Sequence, residues 1–398
     1  MRRTYLVGPF LSTLSCWIVG NGTISLLPLY AMQRGASQAG SGVFLSFAFV
    51  CLALGTFAPG LLPKGFARRR LLVVAAGLLL MIAVLLTSHT RTLFGMAAGC
   101  GAMYFLAGIV FTQATMLTGQ AAPEKERGAA MGILGMSNGV GSIIGGLGAG
   151  WLADHAGFVG LWEACGAVCL LVVVGALVSV EKAPPEQVTR AGSTRPSAAL
   201  GLPLILIVAS YFMLSVTNAV ANLGRSLSMG HLGFSMFTIN LTQVLSGGVT
   251  LVLSFGLGWL SDRIGRRPVL LASYFLTGAA MITLGLSSQL WHFCVAFGLT
   301  SAVAVCMAIG PAYVLDVVPR ESAALGVSLF QAAFWAGNIA GPVTLGFAFE
   351  RFGTEPPILA SVLFPLGGVV LLMLIRGPRG MPATPRGGRG VAAGAGGR

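Results

Sequence analysis

The sequence predicts an all-α polytopic membrane protein with twelve transmembrane helices in two pseudo-symmetric six-helix bundles. Three observations carry that prediction. Of 398 residues 55% are hydrophobic and only 9% charged, with mean hydropathy +0.86, whereas soluble domains hold about 45–50% apolar and about 25% charged residues. The chain contains twelve apolar runs near the roughly 20 residues that a helix needs to cross a bilayer. Its two halves also resemble each other across a single long polar segment.

In the first half the runs fall at 5–30, 37–62, 70–88, 92–120, 128–153 and 158–180; in the second they fall at 201–224, 236–260, 269–287, 293–316, 323–348 and 358–376. Helices are required, because a lone strand leaves its backbone unpaired in lipid and the runs lack the alternation of a membrane barrel. The first run reads as a membrane helix rather than a cleaved signal, since it continues through Pro28 to Tyr30 without a small-residue cleavage site. The polar segment EKAPPEQVTRAGSTRPSAALG separates the sixth run from the seventh. The expected organisation is an N-terminal bundle at 1–180, a cytoplasmic linker at 181–200, a C-terminal bundle at 201–376 and a disordered basic tail at 377–398. All seven cysteines, at 16, 51, 100, 165, 169, 294 and 306, lie inside runs and read as packing residues.

Orientation follows from the basic residues. With both ends on one side, 20 of the 24 Lys and Arg fall on that side, and only Arg34, Arg91, Arg225 and Arg351 fall opposite. The rich side is the cytoplasmic one, which places both termini inside a cytoplasmic (inner) membrane. The net charge of +13 is dealt loop by loop rather than gathered in one patch, so it does not signal a nucleic-acid partner.

Charge is concentrated in GWLSDRIGRRP, residues 258 to 268. Shifted by 198 positions, GLLPKGFARRR at 60 to 70 aligns with it, Gly60 on Gly258, Lys64 on Asp262, Arg68 on Arg266 and Arg69 on Arg267. A second match, shifted by 196, sets Pro123 on Pro319, Gly145 on Gly341, Asp154 on Glu350 and Gly157 on Gly353. On these residues the chain resembles the major facilitator superfamily, whose loop signature G-x-x-x-D-[RK]-x-G-[RK]-[RK] is met by Gly258, Asp262, Arg263, Gly265, Arg266 and Arg267. The N-terminal copy departs from it, with Lys64 at the acid position. The resemblance implies two bundles rocking around a central site, with the loop as a conformational latch. In that latch Arg68 to Arg70 are expected to reach Glu321, and Arg266 or Arg267 to reach Glu124 or Glu126.

The fifth run places Gly128, Ser137, Gly141, Ser142, Gly145 and Gly146 on the spacing of the family's antiporter motif, with serine for its second glycine and for its proline; the eleventh holds Gly337, Gly341, Pro342 and Gly346. Small residues four apart let helices approach closely, so this array reads as a helix-packing hinge. Export or exchange is favoured over uptake.

By the same resemblance the first, fourth, seventh and tenth helices line the cavity. The substrate candidates are then Trp17, Asn21, Tyr30, Tyr104, Gln113, Tyr211, Asn218 and Asn222, each weighed against a plain helix-to-helix bond. Ionisable residues within the runs are nearly absent, and none of the Arg or Lys is expected at mid-depth. Such a cavity suits neutral or amphipathic cargo. Glu163, near the outer end of the sixth run, is the one acid placed as a possible proton site.

The expected function is secondary active transport of small neutral or amphipathic organic molecules by alternating access, in the direction of efflux. The alternatives are an uptake facilitator for a neutral nutrient and a transport-incompetent sensor. No nucleotide loop, metal spacing or His/Asp/Glu cluster at a common depth points to an enzyme, a metal or a cofactor. The expected partners are a small-molecule substrate and the lipid bilayer, with the protein a monomer.

Overall fold

The structure is a computed structural model that describes residues 4–61, 66–123, 127–179, 201–319 and 322–375. Regular structure among these residues is helical throughout. The first span is Val7–Ile24, bent by 51° into Leu27–Gln33. Pro28 explains the bend, because it lacks a donor and its ring displaces the carbonyl four residues back; the chain closes the break with a tight turn, Leu26 N to Thr23 O at 2.8 Å. The half continues with Gln38–Phe57, Phe66–His89, Leu93–Ala121, Arg127–His155 and Gly157–Val178.

In the second half, Leu202–His231, Met236–Ile264 and Arg266–Gly285 are followed by a tenth span in two pieces, Leu290–Thr300 and Ala302–Val317. Ala323–Phe352 and the paired helices Glu355–Ala360 and Leu363–Leu374 complete it. Eleven of these helices are long and apolar enough to cross a membrane, and the bent pair makes a twelfth span. One face of the molecule carries the loops near 123, 265 and 319 and the outer ends of the first and last spans; this is the terminal face. The opposite, distal face carries the turns near 36, 156 and 233.

The seventh helix corrects the reading that ended it at 224 and left Arg225 in a loop. It runs to His231, because nothing in GRSLSMGH breaks a helix until Gly233, whose φ of +77 supplies the left-handed residue that commonly ends one. Arg225 is therefore inside a span, about 9 Å short of its end at the helical rise of about 1.5 Å per residue.

Within each half the first span packs on the fifth and, equivalently, the seventh on the eleventh. Between halves the fifth packs on the eighth and the second on the eleventh. The main apolar core unites both halves, with Leu27, Tyr30 and Phe44 in one cluster with Leu227, Phe293 and Phe349.

Candidate functional site

Hydrogen bonds that join described residues across the two halves are found from mid-span to the distal end of the seam. Two of them are Ser46 Oγ donating to the Ile339 carbonyl at 2.7 Å, near mid-span, and Asn240 Nδ2 donating to the Gly22 carbonyl at 2.9 Å. Nearer the face, Asp154 on the fifth span accepts from the backbone amides of Met236 and Phe237, both at 2.9 Å, where the eighth span begins. Glu350 on the eleventh accepts from the amide of Ala39 at 3.1 Å, where the second span begins. Those helix starts are also capped by their own serines, Ser235 accepting from Thr238 and Ser37 from Gly40. The first amides of a helix have no partner within it and carry its positive dipole end. Two carboxylates from the opposite half supply what these helix starts lack.

The same seam holds Arg225, fully buried. Its Nη1 donates to Thr242 Oγ1 at 3.0 Å and Gln243 Oε1 at 3.1 Å, on the eighth span. Its Nη2 donates across the halves to Ser25 Oγ, at the bend of the first span. The guanidinium lies 3.6 Å from the centre of the Phe297 ring, a stacked cation–π contact. Nε is buried without a partner, and no carboxylate among the described residues pairs with this cation. The expectation that no Arg or Lys lies deep within a span is therefore corrected. Arg225 was legible as position i+7 after Asn218, with Asn222 between, on one helical face; a hydropathy window stops at a charge and concealed it.

The sequence candidates divide by what they touch. Asn21 donates to Asn138 Oδ1 at 2.8 Å and Ser142 Oγ at 2.7 Å, tying the first span to the fifth. Its repeat mate Asn218 donates to Asn338 Oδ1 at 3.4 Å, tying the seventh to the eleventh, and Asn222 donates back to the Asn218 carbonyl. Trp17 is partly exposed, its ring 4.5 Å from that of Phe111. The others are core residues. Tyr30 stacks on Phe158 at 4.3 Å and accepts from Arg34. Tyr104 lies edge-on to Phe49, Gln113 is buried and accepts from Arg69, and Tyr211 stacks on Phe330 at 3.8 Å. Trp17, Asn218 and Asn222 are the three of the eight that keep partial exposure.

The hinge array has two faces. A Cβ on Gly145 would overlap the Ile18 carbonyl, one on Gly141 would stand 2.5 Å from Trp17 Cβ, and Gly337 and Gly341 press equally on the seventh span at Ser215 and Ala219. These four residues close helices together inside each half. Gly146, facing Val244, and Pro342, facing Gly42, lie against the other half.

At the terminal face Gly265 has φ +93, a turn conformation that suits glycine, between helices ending at Ile264 and starting at Arg266. Arg266 pairs with Asp316 and Arg267 donates to the Met373 carbonyl, both within its own half. Arg69 and Arg70 likewise bond to Gln113 and the Leu177 carbonyl. The side chain of Asp262 and residues Glu124, Glu126 and Glu321, the expected crossing partners, lie outside what the structure describes. Glu163 is exposed and aligns with Ala167, Leu170, Val174 and Leu177 on an exposed apolar stripe of the sixth span, away from the seam.

The comparisons accord with this architecture. Matched stretches are 34% identical to the tetracycline resistance protein, class E, of Escherichia coli over 121 residues, and 30% identical to the multidrug resistance protein MdtG of Escherichia fergusonii over 121 residues. Each stretch is 30% of this chain and 29% of the relative, so the chain matches under a third of the length of these proteins. Among solved structures, a bacterial homologue of the human lysosomal transporter Spinster, inward-facing and unoccupied, superposes with a TM-score of 0.74 at 14% identity, covering 94% of this chain and 97% of that one. A POT family transporter in complex with 5-aminolevulinic acid gives 0.70 at 13%, covering 92% and 94%. The Major Facilitator Superfamily profile matches residues 5–224 and 204–395. With two six-span halves joined along four helices and that profile matched over both, the chain is an integral membrane protein of the Major Facilitator Superfamily.

Proposed function

We propose that the chain exports small amphipathic organic molecules from the cytoplasm as a secondary active transporter working by alternating access. The observation that carries this reading is the seam itself. Among the described residues, polar contacts between halves gather toward its distal part, where the repeat-related Asp154 and Glu350 make the same contact twice, and helix contacts that cross there involve compact backbones and amide–carboxylate bonds. Such contacts can be exchanged as units when two rigid halves rock. Contacts of that kind bias a two-state equilibrium by the difference in their energy between the states. Resistance proteins among the matched relatives support outward movement.

In this reading the termini and the basic loops face the cytoplasm across an inner membrane, and the protein works as a monomer without cofactor, nucleic acid or catalysis. Trp17, Asn218 and Asn222 face the cargo, and Asp262 with its neighbouring arginines latches the terminal face in the alternate state. The test is counterflow in vesicles of known orientation, using tetracycline and a lipophilic dye with and without a proton gradient. Gradient-driven accumulation on the distal side is expected. Accumulation in the opposite direction, or none, would sink the export reading.

A further inference from the structure

Arg225 does not fit a purely structural role. A buried guanidinium is costly unless it is paired, and here its partners are neutral oxygens, with one N–H left over. Amides already tie helices together elsewhere, as Asn240 does to Gly22 across the seam and Asn21 does to Ser142 within one half. If joining helices were the whole purpose, an amide would serve without the desolvation of a charge.

The way its donors are divided is informative. Nη1 is anchored within its own half by Thr242 and Gln243, and Phe297 fixes the plane of the group. The remaining edge, Nη2 and Nε, holds only the bond to Ser25 across the halves. That edge is the fork that takes a carboxylate through two parallel hydrogen bonds. When the halves part at the distal face, Ser25 departs and the fork is left oriented and vacant in the gap. The approach from the other side is already present: a cavity of about 320 Å³ at the distal face, between Leu29, Met32 and Gln33 of the first span and Leu227, Gly230 and His231 of the seventh. Leu29 is one helical turn beyond Ser25, and Leu227 is two residues beyond Arg225. On the near side, partly exposed Asn218 and Asn222 continue the same face of the helix toward mid-membrane.

We propose that Arg225 is an anion-binding residue on the transport path, so that the preferred cargo carries a carboxylate or comparable negative group which replaces Ser25 at the guanidinium as the distal side opens. The proposal rests on the transport reading and narrows its substrate class. It also assigns a trigger, because an anionic cargo offers Arg225 a better partner than Ser25 and thereby favours parting of the halves, whereas a neutral cargo does not.

The test compares 2-naphthoate, indole-3-acetate and fluorescein, each with its own methyl ester, for transport in oriented vesicles and for thermal stabilisation of the purified protein. The acids are expected to be moved in preference to their esters. Arg225→Gln should lower the acid-to-ester transport ratio at least tenfold, and Arg225→Lys, which keeps the charge and loses the fork, should give an intermediate ratio. Acids should raise the melting temperature of the wild-type protein and not of Arg225→Gln. Esters moved as well as acids, or an unchanged ratio in Arg225→Gln, would overturn the anion site and leave the export reading standing. If no probe moves in either form, the export reading fails instead, and the melting arm decides the anion site, absence of stabilisation by every acid refuting it. Should Arg225→Gln fail to fold, the wild-type preference and the lysine variant carry the decision.

Discussion

Asp154 and Glu350, 196 positions apart, perform the same task from opposite halves: each carboxylate leaves its own bundle to accept the first amides of a helix in the other. The weak sequence repeat thus corresponds to a repeated contact that locks the distal face twice. Asp154→Asn keeps an acceptor and removes the charge that suits a helix N-terminus. The labelling rate of Met32→Cys, in a background cleared of the seven native cysteines, should rise about two- to fivefold, the range expected of one such contact. Glu350→Gln should act in the same direction, and the double variant beyond either. Unchanged or slower labelling in the double variant would show that these carboxylates do not hold the face closed.

The hinge glycines separate fold from motion. Gly145→Ala forces a methyl onto the Ile18 carbonyl, a backbone atom that cannot step aside, and overpacking of that kind typically costs about 1–3 kcal/mol. A lower melting temperature and yield are expected. Gly148→Ala, with nothing within 4 Å of the new methyl, should leave both unchanged. Gly146→Ala meets the Val244 side chain of the other half at 2.6 Å and, less closely, the Asn240 carbonyl at 3.3 Å, so it should fold normally and alter the labelling rate at Met32→Cys instead. Equal melting temperatures for the variants at 145 and 148 would contradict the packing.

Glu163→Gln should leave gradient-driven transport within the scatter of the wild type. Its carboxylate shares an apolar exposed stripe with Leu170, Val174 and Leu177, where it has no route to the seam. Loss of gradient-driven accumulation with exchange retained would restore it as a proton site.

Asp262→Asn should cut transport severely at normal membrane abundance, because every other charge in the loop signature is basic. Normal turnover in reconstituted vesicles would remove Asp262 from the latch.

Much of this protein is written in one dimension. Helix number, the division into halves and the repeat that aligns Asp154 with Glu350 all follow from apolar run length and spacing, because lipid forces each span to satisfy its own backbone. The loop signature around Asp262 and Gly265 is likewise readable, since a tight charged turn has few sequence solutions. The 51° bend before Pro28 is not legible there, since the apolar run continues through that residue to Tyr30.

What those residues do was decided by packing. Asn21 and Asn218 look like cavity residues in the sequence, yet both are turned onto neighbouring helices, because an amide in a bundle bonds to the nearest acceptor. Tyr30 and Tyr211 are claimed by stacked aromatic neighbours. Arg225 illustrates the limit best. Its position in the chain reads as a loop charge at the end of an apolar run, and only the bend at Ser25, Thr242 and Gln243 of the eighth helix and the face of Phe297, brought from three parts of the chain, make that depth hospitable to a cation. Hydropathy sums residues along the chain, whereas the cost of a buried charge depends on which groups meet it in space.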